Sequence, residues 1–175
     1  MSMEQQTTPA RIGLKWGVIT GVVYMLYSAI LYLTDQYGNQ SLGWISFVVS
    51  IIFIVLAMRD YRTQNDGFMT YGEGVSIGLF VSVISAIISG IFSYIYTTFI
   101  DNTVVQRLMD KMEEQWVEQG LSDEQIEQAK EWTNMFQSPG LTFLFGLLFA
   151  LIGGLIISLI VAAFLRRNKP FAEFQ

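Results

Sequence analysis

The stretch FGLLFALIGGLIISLIVAAFLRR, residues 145–167, carries no charge from Phe145 to Leu165 and then two arginines. A run of this length and apolarity matches the roughly 20 residues a helix needs to cross a hydrocarbon core of about 30 Å. Three other windows resemble it. The first runs from about Ile12 to Leu33 and the second from Leu42 to Met58, the shortest of the set. The third is uncharged from Gly74 to Ile100, long enough at about 1.5 Å per residue that it must tilt or protrude. A soluble helical core would keep a polar face on each helix, and these windows have none. Only 14% of the residues are charged, against about a quarter in soluble domains. The spacing therefore predicts an all-α, polytopic membrane protein: four transmembrane helices in two hairpins (spans about 12–33, 42–58, 74–100 and 141–165) within a single domain, residues 1–175. The uncharged run after Lys15 is long for a signal-peptide core and no small-residue cleavage motif follows it, so it reads as a retained helix.

Positive charges set the expected orientation. Arg11 and Lys15 precede span one, Arg59 and Arg62 follow span two, and Arg166, Arg167 and Lys169 follow span four. With alternating spans these seven share one side, and Arg107, Lys111 and Lys130 hold the other. Both termini are expected in the cytoplasm of a multi-pass protein. Trp16 and Tyr71 would then sit near the inner interface, with Tyr32, Trp44 and Tyr96 near the outer one.

The segment 101–140 is the substantial polar region, with nine acidic residues against three basic. Val105, Leu108, Met109, Met112 and Trp116 recur at helical spacing, and Gly120 is a stop signal. Ser122 with Gln125 three residues on forms a capping-box start. Ile126, Ala129, Trp132 and Phe136 continue a second stripe up to the SPG break at 138–140. An extracytoplasmic amphipathic helical hairpin between spans three and four is the expected structure, its stripes facing each other or the lipid surface.

Small residues recur every fourth position: Gly146, Ala150, Gly154, Ser158 and Ala162 in span four; Gly74, Gly78, Ser82, Ala86 and Gly90 in span three; Gly13, Gly17 and Gly21 in span one. Residues four apart share a helix face, and in lipid close backbone approach through small residues drives helix association. One reading packs spans three and four together inside the chain, with span one joining at its cytoplasmic end. The other gives a track to a membrane-protein partner or a second copy. The matching depth of the Gly13 and Gly74 tracks also suggests a parallel repeat of the two hairpins.

The chemical inventory is short. With no Cys and no His, thiolate chemistry, disulfides and the commonest general base and metal ligand are all excluded. A net charge of −5 excludes a generally basic nucleic-acid binder. No catalytic, cofactor or metal site can be assembled. The weak functional candidates are Glu73, at the mouth of span three, and Tyr24 and Tyr27, whose hydroxyls could meet Ser82, Ser85 or Ser89. Glu73 also reads simply as a carboxylate favoured by a helix N-terminus, and the tyrosines as interhelical glue.

LKWGVITG (14–21), RDYR (59–62) with GFMTYGEGVSIG (67–78), FIDNTVVQRLMDKMEEQWVEQGLSDEQIEQA (99–129) and MFQSPGLTFLFGLL (135–148) occur in an order that resembles the domain-of-unknown-function 4199 family. The resemblance spans nearly the whole chain. It implies a four-span protein of the bacterial inner membrane and supplies no activity. Together these readings lead to the expectation of a non-enzymatic accessory or assembly subunit that acts through helix packing, with the lipid bilayer, and a membrane partner or a second copy, as its neighbours. The alternative is a small oligomeric transporter or flippase-like protein that handles a lipid-linked sugar.

Overall fold

The computed structural model describes residues 7–136 and 139–169. Ser138 of the SPG break lies outside the described residues, as does the side chain of Phe136. Among the described residues the chain is six helices with no strand: α1 (Pro9–Leu33), α2 (Gln40–Gln64), α3 (Tyr71–Ile95), α4 (Val104–Glu118), α5 (Asp123–Phe136) and α6 (Pro139–Leu165). Four helices of 24 to 30 residues are long and apolar enough to cross a membrane. The large apolar side chains they leave uncovered, such as Phe164 at 84% exposure and Phe149 at 70%, suit a lipid surround and would form an untenable patch in water.

The helix ends are set by local chemistry. Thr8 accepts from the Arg11 amide with Pro9 in the first helical turn, and Asn39 caps α2 through the Ser41 amide. Thr70 and Glu73 form a reciprocal capping box at the start of α3. The α2 helix runs six residues past the predicted end of span two, because Arg59, Asp60 and Arg62 are charged without breaking a helix. It stops only at Asn65, where Asp66 (φ 53°) and Gly67 (φ 83°) turn the chain left-handed. A π-helical turn, Tyr96–Ile100, extends α3. The Ser122–Gln125 box opens α5 in both directions: Ser122 N donates to Gln125 Oε1 at 2.9 Å and Gln125 N to Ser122 Oγ at 3.4 Å. Glu113 of α4 and Lys130 of α5 pair at 2.7 Å across the resulting hairpin.

The α3 helix is the centre of the bundle. Alongside α1 it runs parallel and in register: β-carbons built on Gly17 and Gly21 lie 2.7 and 2.9 Å from the β-carbons of Ile84 and Ile88, and Gly13 stands as closely against Phe80. Each α1 glycine thus takes the shoulder of one bulky α3 side chain. Against α6 the same helix runs antiparallel, with Gly74 opposite Ala162, Gly78 opposite Ser158 and Ser82 opposite Gly154. The hairpin repeat is not realised. A two-fold relation between α1 and α3 would turn the Gly74 track towards α1, whereas it faces α6.

Two clusters of buried residues follow. Ile12, Met58, Met69, Ile77 and Ala162 are among those filling the end that carries the α1 N-terminus and the α6 C-terminus, here the terminal end. The opposite, hairpin end is held by Tyr37, Tyr96 and Val104, with Tyr32 stacked on Tyr96 at 4.6 Å between centroids.

Candidate functional site: a hydroxyl-lined cavity beneath α4

The α3–α6 register does not continue to the hairpin end. Four residues per step would set Gly90 opposite Gly146, but Gly90 instead meets the ring of Phe143, 2.7 Å from a β-carbon built there, while Gly146 has open space. Where the helices part, a cavity of about 570 Å³ opens, reaching from Ser82 and Gly154 to the underside of α4 and bordered also by α1 and α2. Exposed Phe47, Tyr94 and Phe149 mark its opening on the flank of the bundle.

Its chemistry is uniform: among the described lining residues there is no Asp, Glu, Lys or Arg, and hydroxyls supply the polarity. On α3 and its π-helical extension, Ser82, Ser85, Ser89, Ser93 and Thr97 succeed one another at intervals of three or four residues, so they fall on one face. This stripe is a signal that the sequence reading took in only piecemeal. Ser85 donates to the Ser82 carbonyl at 3.1 Å, Ser89 to the Ser85 carbonyl at 2.9 Å, and Thr97 to the Ser93 carbonyl at 2.9 Å. The Tyr32 and Ser93 hydroxyls are hydrogen-bonded to each other at 2.6 Å across the wall.

Tyr24 and Tyr27 depart from expectation. Tyr24 donates to the Ser46 carbonyl at 2.8 Å and pairs with Ser50 Oγ, and Tyr27 donates to the Leu42 carbonyl at 2.9 Å. Both therefore tie α1 to α2 and not to the α3 serines. At 3.6 residues per turn they stand about 60° and 120° round α1 from Gly21, and the glycine face is the one pressed on α3. Only Tyr24 reaches the cavity.

The α4 helix lies over the hairpin end as a lid. Tyr37 donates to the Val104 carbonyl. Asp35, in the α1–α2 turn, pairs with Arg107 Nε at 3.3 Å and with Lys111 Nζ at 3.0 Å, and Asp101 pairs with Arg107 at 2.8 Å. Gly38 serves this closure twice: its φ of 86° suits glycine, and a β-carbon there would lie 2.9 Å from Leu108 of α4. The Thr103 hydroxyl and then the Arg107 guanidinium hold the Asp101 carboxyl below the usual range. Burial pushes the Tyr37 phenol up.

Glu73 sits at the other end. One of its oxygens accepts from Tyr61 at 2.7 Å and the other from the Thr70 amide at 2.7 Å and hydroxyl at 2.9 Å. Nearby, Asp60 gathers Lys15, Trp16 and Gln64 at 2.7–2.8 Å, so Lys15 has an ionic partner. Met69 and Arg167 exchange both backbone hydrogen bonds, at 2.9 and 2.8 Å, fastening the α2–α3 turn to the end of α6. These groups stitch the terminal end together, away from the cavity.

Among the described residues, six helices, four of them of membrane-spanning length and apolarity, define the class: a multi-pass, all-α membrane protein. A family model described as "Protein of unknown function (DUF4199)" matches residues 15–167. The chain belongs to that family. No curated protein and no solved structure matches it.

Proposed function

We propose that this is a non-enzymatic protein of the bacterial inner membrane, with both termini in the cytoplasm, that works by holding a ligand in the cavity under α4 as an accessory subunit to a membrane partner. The supporting observation is the cavity itself, large enough for one small amphiphile and furnished with hydroxyls in place of a general acid–base pair. The small-residue tracks support the reading along the first of the two lines read from the sequence. Those of α1 and α3 are filled by the chain's own helices, so they give rigidity to the half of the bundle that frames the cavity. Orientation follows the seven basic residues at the terminal end.

A carrier-like role is a second reading, favoured by the lid: solvent-exposed ion pairs contribute little, so α4 is more easily released than the glycine-packed helices. Native mass spectrometry of the protein taken from its own membranes in mild detergent tests the proposal. One retained amphiphile per chain, with a stoichiometric partner protein, is expected. A chain that arrives empty and alone overturns it, and a homo-oligomer with bound lipid favours the carrier.

A further inference from the structure

The walls of the cavity carry more information than its size. Twelve of the described lining residues carry a hydroxyl, and five of these are already spent as donors. Ser85, Ser89 and Thr97 give their protons to carbonyls of their own helix, Tyr24 gives its proton to Ser46 and Tyr37 to Val104. Each donor that has turned to a main-chain carbonyl still offers lone pairs. The wall is therefore richer in acceptors than in donors, and it is uncharged.

An anion entering such a space loses its hydration and finds no cation among the described lining residues, which is a severe penalty in a low-dielectric interior. The cations of α4 do not relieve it. Arg107 and Lys111 sit on α4 outside the lining, engaged with Asp35 and Asp101. A ligand that brings its own hydroxyl or amide protons is matched instead. The shape adds a second constraint. Lining residues on α6 run from Thr142 to Ile157, a span of about 22 Å at 1.5 Å per residue. Such a space is elongated, suits a single long acyl chain, and opens on a flank bounded by aromatic rings.

We propose that the cavity binds an uncharged, single-chain amphiphile whose headgroup donates hydrogen bonds, such as a monoacylglycerol, and excludes phosphorylated counterparts. This rests on the cavity being the working site. It also narrows the lipid-linked-sugar alternative, because a phosphate-bearing headgroup would have to stay outside.

The test compares two probes that share an oleoyl chain and differ by a phosphate: monooleoylglycerol and oleoyl lysophosphatidic acid. They are titrated into the detergent-solubilised, delipidated full chain and counted by native mass spectrometry. A parallel set uses Gly146→Leu, which places a side chain in the cavity from a position where a β-carbon has no neighbour within 4 Å. The neutral probe is expected to bind with one-to-one stoichiometry at least about tenfold tighter than the anionic one, and Gly146→Leu to weaken it about as much while melting like the native chain. Equal or tighter binding of the anion, still sensitive to Gly146→Leu, leaves the cavity as a site and overturns the ligand class. Binding of neither probe, or binding indifferent to Gly146→Leu, overturns both.

Discussion

Gly154 and Gly146 lie eight residues apart on the same face of α6, and leucine at either one adds the same apolar surface to the same helix. Their surroundings are opposite. A β-carbon on Gly154 would fall within the Ser82 side chain, whereas one on Gly146 has no neighbour within 4 Å. Ordinary contact begins at 3.4 Å, and a β-carbon built on Gly74 would likewise lie only 2.8 Å from that of Ala162. Gly154→Leu must therefore push α6 off α3 along the whole antiparallel seam. A radial gap of 0.5–1 Å already forfeits about a quarter to a half of each dispersion contact. Overpacking costs about 1–3 kcal/mol, and the Ser82 β-carbon, which cannot rotate away, places this site at the upper end. For a chain of this length that is about 4–12 °C in thermal midpoint. Membrane insertion should be unaffected, since the span becomes more apolar. The assay is a thermal melt of both variants in one detergent, with membrane yield measured alongside. Gly154→Leu should insert normally and melt early, and Gly146→Leu should match the native chain. Equal melting of the two variants would refute the seam, and an early melt of Gly146→Leu alone would reverse the assignment.

The chain has no native cysteine, so Ser122→Cys should react with an impermeant thiol reagent outside spheroplasts and Asn168→Cys should not; the reverse pattern refutes the orientation. Replacing Asp35 by Ala removes the shared partner of Arg107 and Lys111, so amide exchange should quicken in α4 while α3 and α6 keep their protection, and unchanged exchange would show that these pairs do not fasten the lid. The Asp101 carboxyl is depressed by Thr103 and Arg107, so its contribution to stability is complete above the unfolded value of about 3.9 and fades as pH falls through the folded one. The native chain should therefore melt above Asp101→Asn near neutrality and converge with it in acid, and a constant gap down to strongly acidic pH would refute that role.

Features that depend on one segment could be read from that segment. The four apolar windows, the Gly120 stop and the Ser122–Gln125 box all reappear as helices, a turn and a cap, because each is decided within a few residues. The close approaches along α3 were half legible: small residues at every fourth position mark a face without saying which helix will meet it. The sequence reading joined α1 to the others at one end, and Gly13, Gly17 and Gly21 do meet α3 there, from Phe80 to Ile88, but the contact runs on to the hairpin end, where Tyr32 stacks on Tyr96. The tyrosine partners were misjudged because azimuth around α1 depends on which face the glycines claim. The cavity was the least legible feature. Its wall is shared among five helices, and it opens where Phe143, and not Gly146, meets Gly90.

The way the glycine faces are filled also fixes an order of assembly. A chain is made from its N-terminus, so α1 leaves the ribosome with Gly13, Gly17 and Gly21 bare. They stay bare until Phe80, Ile84 and Ile88 arrive on α3. By then α3 has opened a vacancy of its own along Gly74, Gly78 and Ser82, which is closed only by Ala162, Ser158 and Gly154, near the end of the chain. Through the synthesis of α4 and α5 the bundle is a half-shut zipper with a sticky edge facing the lipid. A nascent chain stalled before α6 presents that edge to any helix with a matching row of small residues, so mispairing, or capture by a membrane quality-control protease, is a hazard confined to this interval.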